Sequence, residues 1–168
     1  NAYVTMTGTN VFNDNSGYGV VVQSNGEITV ENITANNDSD VGVHLVNCSS
    51  TTDQCDTSVA DKGVTVNGTN SFNNNPFYGL SIYSNGQVLV NGVTSNNNRT
   101  GAYIFTKGDI TLNNFTANEN TQNGATLTNN TGSGTGVTLT GTNVFNGNGS
   151  TGLQANSDGN ITINNVTA

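Results

Sequence analysis

The sequence has no tryptophan, one proline, one methionine and one histidine, and only 8% of its 168 residues are charged. A single proline excludes a polyproline stalk. Lys62, Arg99 and Lys107 are the only cations, and the net charge is −8. Nucleic-acid binding needs many phosphate contacts from Lys and Arg, so that function class is excluded. No apolar run approaches the length of a membrane-spanning helix. Hydrophobic residues make up 32% of the chain, a thin supply for a globular core, yet there are too few charges for charge-driven disorder. No signal peptide is visible, and a secreted chain would have lost it on maturation. The two cysteines, Cys48 and Cys55, are too few for a metal site without more histidines than His44. Their closeness predicts a local disulfide closing a small loop, which favours an extracellular setting.

What the chain has instead is asparagine, roughly a fifth of all residues. Asn and Gly tolerate left-handed backbone and suit turns; Thr and Val suit strands. The sequence also aligns on itself. Gly19 to Val30 matches Gly79 to Val90 position for position in its apolar residues, and the frame returns at Gly101–Leu112 and Gly152–Ile163. Apolar residues alternate with period two, which predicts short strands with one buried face. The repeat of about 22 to 28 residues is a solenoid period. Each strand resembles the strand one repeat later rather than its neighbour along the chain, so like strands should stack in parallel.

The predicted fold is all-β: a right-handed parallel β-helix of about seven coils, three short strands per coil. The coils fall at 1–15 (incomplete), 16–38, 39–75, 76–98, 99–120, 121–148 and 149–168 (incomplete), in one domain over 1–168 with a disulfide-tied insertion at about 47–62. Predicted interior columns are Val20, Val43, Leu80, Ala102, Ala125, Leu153; Val22, Leu45, Ile82, Ile104, Leu127, Ala155; and Met6, Val30, Val66, Val90, Leu112, Leu139, Ile163. A threonine column interrupted only by Leu89 (Thr5, Thr29, Thr65, Thr111, Thr138, Thr162) faces outward. Asn13, Asn36, Asn73, Asn96, Asn118 and Asn146 recur at one turn, where stacked carboxamides can bond coil to coil as an asparagine ladder.

The pattern resembles right-handed parallel β-helix proteins of the pectate-lyase-like fold and autotransporter passenger domains. Phe12–Asn15, Phe72–Asn75 and Phe145–Asn148 fit the Phe-x-x-Asn motif of polymorphic outer-membrane adhesin repeats, and Gly-Ala pairs stand at Gly101-Ala102 and Gly124-Ala125. That family's Gly-Gly-Ala is missing here. The resemblance implies a surface-exposed β-helix, and the pectate-lyase likeness raises the question of polysaccharide cleavage. Those lyases pair clustered Asp residues for calcium with a catalytic Arg; here Arg99, the one arginine, stands beside Asn98 and Thr100 with no aligned carboxylates. Asp38 and Asp40 sit in a turn, and Asp53, Asp56 and Asp61 in the insertion, so no acid–base pair forms. No catalytic residue, cofactor or metal ligand is therefore assigned.

His44, Tyr103 and Phe105 should point outward, with Tyr83 and Phe77 in nearby turns; these aromatics are candidates for stacking on sugars or for packing under a loop. Asn-x-Ser/Thr sequons stand at Asn32, Asn37, Asn47, Asn67, Asn98, Asn114, Asn129, Asn148, Asn160 and Asn165. The first strand matches a mid-coil strand, and neither end of the repeat array carries a charged or helical cap, so open strand edges invite coil-on-coil pairing. The expected role is a structural β-helical subunit or segment of an extracellular filament or giant cell-surface protein. Its expected partner is itself or adjoining repeats, without nucleic acid or membrane insertion. A carbohydrate- or host-binding adhesin module is the alternative; a polysaccharide lyase or hydrolase is third.

Overall fold

The computed structural model describes residues 3–48, 62–130 and 134–168. It is a parallel β-solenoid with no helix among these residues. In chain order the strands are β1 (Tyr3–Met6) and β2 (Asn10–Val11), then β3 (Val20–Gln23), β4 (Glu27–Glu31) and β5 (Ile33–Thr34). The third coil holds β6 (Val43–Val46), β7 (Val64–Asn67) and β8 (Asn70–Ser71). In the next two the second and third segments fuse, giving β9 (Tyr78–Ser84) with β10 (Val88–Thr94), and β11 (Thr100–Thr106) with β12 (Ile110–Thr116). The rod continues through β13 (Ala125–Asn129), β14 (Val137–Thr140) and β15 (Asn143–Val144) to β16 (Leu153–Ser157), β17 (Ile161–Ile163) and β18 (Val166–Thr167).

Every ladder is parallel, and strands pair one coil on, in the order β1-β4-β7-β10-β12-β14-β17 on one sheet and β3-β6-β9-β11-β13-β16 on the other. The rod makes about six turns, slightly fewer than the seven coils counted in the sequence because two of those are incomplete. The register sets like on like. Val20, Val43, Leu80, Ala102, Ala125 and Leu153 form one column. Met6, Val30, Val66, Val90, Leu112, Leu139 and Ile163 form another. Middle members such as Val43, Leu80, Val66 and Leu112 are fully buried. Each such side chain contributes about 1.5–3 kcal/mol, so the columns hold the rod.

A further interior column sets single phenylalanines between small residues: Phe12, Ala35, Phe72, Ser95, Ala117 and Phe145, linked coil to coil by main-chain bonds. The phenylalanines occur where the preceding corner carries one extra residue, in Gly8-Thr9-Asn10, Gly68-Thr69-Asn70 and Gly141-Thr142-Asn143. The asparagine of each triplet turns its amide onto a main-chain carbonyl of the same corner: Asn10 on Thr7, Asn70 on Asn67, Asn143 on Thr140. Small residues between the rings leave them room, and Phe115 stacks on Phe145 at 6.0 Å.

Candidate functional site

The corner after the third segment carries two hydrogen-bonded ladders. In the outer one, the main-chain N–H of Asn36, Asn73, Asn96, Asn118 and Asn146 donates to Oδ1 of the asparagine one coil earlier, starting at Asn13, over 2.7–2.9 Å. The inner ladder lies two residues on and escaped the sequence reading. The N–H groups of Asn15, Asp38, Asn75, Asn98 and Asn120 donate to Oδ1 of Asp38, Asn75, Asn98, Asn120 and Asn148, one coil later, over 2.8–3.0 Å. The two ladders therefore run with opposite polarity. Between them Asp14, Asn37, Asn74, Asn97, Glu119 and Gly147 all adopt positive φ, from 56° to 65°. Asn and Asp tolerate that conformation because their short side chains bond locally. The signal was present as Asn-x-Asn or Asn-x-Asp at every corner, hidden inside longer asparagine runs. The inner ladder also accounts for Phe-x-x-Asn: its phenylalanine fills the core and its asparagine is a rung.

A further ladder crosses the sheet that runs from β1 to β17. Asn91 Nδ2 donates to Asn67 Oδ1 at 2.8 Å and Asn113 Nδ2 to Asn91 Oδ1 at 2.9 Å. These ladders bind coil to coil.

The aromatic residues gather on the outer face of the other sheet. His44, Ser81, Tyr103 and Thr126 share one outward column, and Val46, Tyr83, Phe105 and Thr128 the next. Tyr83 lies within β9 rather than in a turn, because the Ser84-Asn85-Gly86 corner begins one residue beyond it. Ring centroids run Tyr18–His44 at 5.7 Å, His44–Tyr83 at 5.9 Å, Tyr83–Tyr103 at 5.8 Å and Tyr103–Tyr78 at 5.4 Å, with Phe105 6.3 Å from Tyr83. The row spans four coils. His44 Nδ1 and Ser81 Oγ hydrogen-bond at 3.1 Å. Arg99 lies 5.7 Å over the Phe77 ring and donates to Gln122 Oε1, so it contacts an aromatic and an amide rather than carboxylates. Among the described residues no three His, Cys, Asp or Glu side chains converge.

Val46 and Cys48 are buried against Tyr83 and Phe105 at one end of this row. Cys55, the acids Asp53, Asp56 and Asp61, and most of the insertion lie outside the described residues. The insertion's base is described: Asn47 donates its amide to the carbonyls of Lys62 and, at 3.1 Å, Gly63. Asn129 does the same for the second long connection, donating to Gly108 at 3.2 Å and to Gly136 at 2.8 Å. Both replace the serine or threonine that caps the short corners at Ser24, Ser84, Thr106 and Ser157.

The sequons divide by burial. Asn47, Asn98 and Asn129 are almost wholly buried, whereas Asn37, Asn114, Asn160 and Asn165 are exposed and Asn32, Asn67 and Asn148 lie between.

Comparison with known proteins found no matching family model, no matching curated protein and no matching solved structure.

Proposed function

We propose that this chain is a structural β-solenoid unit of an extracellular filament or giant cell-surface protein, extended by coil-on-coil stacking with a second copy or with adjoining coils of the same pattern. One observation carries the reading. Every ladder is parallel and sets like residue on like one coil on, with Val64, Val88, Ile110 and Val137 and with Val66, Val90, Leu112 and Leu139 wholly buried in two such columns, so each coil offers the next a matching sheet edge of core and backbone together. A further parallel coil is the complement of such an edge. The role is non-enzymatic: Arg99 is engaged by Phe77 and Gln122, and the described acids are spread along the rod. A Cys48–Cys55 bridge and glycans on exposed sequons belong to the same extracellular setting. The likeness to autotransporter and adhesin repeats enters as shared coil geometry.

Negative-stain electron microscopy across a concentration series tests stacking by this chain. Fibres that lengthen with concentration and vanish in Ile161→Lys/Ile163→Lys are expected. Short discrete particles at every concentration would rule out self-stacking and leave only adjoining coils as the partner.

The aromatic row supports a second reading, a carbohydrate- or host-binding adhesin module, since stacked rings of this kind offer flat faces to sugars. Binding to a glycan array that disappears in Tyr83→Ala/Tyr103→Ala is the result it requires.

A further inference from the structure

The threonine face, on the sheet away from the aromatic row, holds two recesses of the same construction. Four coils turn from one sheet to the other through a three-residue corner, and the last residue of that stretch or the first of the next strand, Glu27, Gln87, Asp109 or Asn160, stands outward in one column. In the two coils with longer connections that position is glycine, Gly63 and Gly136. The missing side chains open the recesses. One, of about 410 Å³, lies over Gly63 between Glu27 and Gln87 with Thr29 and Thr65 as its floor. The other, of about 560 Å³, lies over Gly136 between Asp109 and Asn160, floored by Thr111 and Thr138, and Gln87 borders it too.

Neither glycine can take a side chain. A Cβ on Gly63 would sit 2.7 Å from the Gln87 carbonyl oxygen, and one on Gly136 would sit 2.7 Å from that of Asn160. The next coil's backbone fixes both positions as glycine, so the recesses belong to the rod's frame. Their chemistry is also alike: one carboxylate, the Gln87 carboxamide and threonine hydroxyls in each, with Asn160 added at Gly136 and no cation in either lining. Asp109 Oδ1 already accepts the Gly136 N–H at 2.7 Å, which fixes the carboxylate at the rim. Carboxylates accept hydrogen bonds, while carboxamides and hydroxyls both donate and accept. A neutral polyhydroxylated ligand satisfies such a lining. An anionic ligand would meet an uncompensated carboxylate in each recess.

The recesses stand three coils apart on one column, roughly 14 Å at the strand spacing of about 4.8 Å, with Gln87 common to both. We propose that this face binds a neutral linear polysaccharide laid along the rod axis, one stretch in each recess. The site is separate from the aromatic row and from the stacking edge, so its test stands apart from both.

The measurement is isothermal titration of the whole chain with neutral β-linked oligosaccharides of increasing length, with uronate oligomers for comparison. Expected are weak binding of short neutral oligomers and a tightening of about a hundredfold once the oligomer reaches both recesses, as two linked weak sites give. Uronate oligomers should bind least. Thr138→Arg should remove the tightening while short oligomers still bind at the Gly63 recess. Gln87→Ala, an exposed change that borders both recesses, should weaken both and serves if Thr138→Arg does not fold. Absence of binding by every neutral oligomer at millimolar concentration overturns the proposal. So does binding that survives both variants, or binding lost only in Tyr83→Ala/Tyr103→Ala.

Discussion

Asp38 is the one carboxylate among the inner rungs. At Asn75, Asn98, Asn120 and Asn148 the side-chain amide donates to a main-chain carbonyl, of Ala35, Phe72, Ser95 and Ala117 respectively. The equivalent carbonyl for Asp38 is that of Phe12, but Asp38 Oδ2 is buried there with no partner. Its Oδ1 keeps the rung by accepting from the Asn15 main chain and side chain. Asp38→Asn restores the missing donor without changing shape. It should raise unfolding stability by about 1–2 kcal/mol, read as a higher urea midpoint with unchanged slope. An unchanged or lower midpoint would refute this account of the rung. The two ladders should also differ in weight. Asn98 is buried and holds the Asn75 N–H and the Phe72 carbonyl, so Asn98→Ala should cost about 2–4 kcal/mol. Asn96, half-buried on the outer ladder, can be replaced by water at its neighbours, and Asn96→Ala should cost less than about 1 kcal/mol. Equal losses in urea titrations would show that polarity and burial do not distinguish the ladders.

At the scale of the element, the strand columns were legible because alternation with period two leaves no choice of face: shifting one residue would turn every valine and leucine outward. His44 followed from the same rule, sitting outward between Val43 and Leu45. What stayed hidden depends on counting residues at corners. Thr9, Thr69 and Thr142 each add one residue before the third segment, and in the column of Phe12, Phe72 and Phe145 that insertion goes with phenylalanine rather than a small residue. The Thr69 N–H is taken up by Asn32 Oδ1 and the Thr142 N–H by Asn114 Oδ1, so the extra residue is satisfied by the preceding coil, a long-range bond with no local sequence signal. The recesses were hidden for a related reason, since a glycine at the end of a long connection looks like any loop glycine until the next coil is set over it. Phe72 tests this packing. It is fully buried between Ala35 and Ser95, so neither neighbour can fill the space it leaves. Phe72→Ala should therefore cost about 3–5 kcal/mol by chemical denaturation. A loss below about 1 kcal/mol would mean that the column collapses around the gap.

For the molecule as a whole, strand pairing among the described residues runs from each coil to the next, so stability is the sum of coil and interface terms rather than a property of one core. The interface terms are unequal. β9 and β11 pair over six positions, as do β10 and β12, whereas β2 pairs β5 over two and β15 pairs β18 over two. The fused strands of the two middle coils also carry wholly buried columns on both sheets, while Val4, Met6, Leu153 and Ala155 toward the ends are only partly buried. Opening should therefore begin at the outer coils and reach β9 to β12 last. Native-state hydrogen exchange checks this: amides of Ala102, Ile104, Val90 and Leu112 should exchange slowest, and those of β1, β2, β17 and β18 fastest. Stacking adds a second condition. If a further coil covers Ile161 and Ile163, the β17 amides gain hydrogen-bond partners, and their protection should rise with protein concentration while that of β10 stays fixed. Uniform protection along the rod would refute the coil-by-coil account. Gradient exchange that ignores concentration would keep that account and remove the second copy as the covering coil.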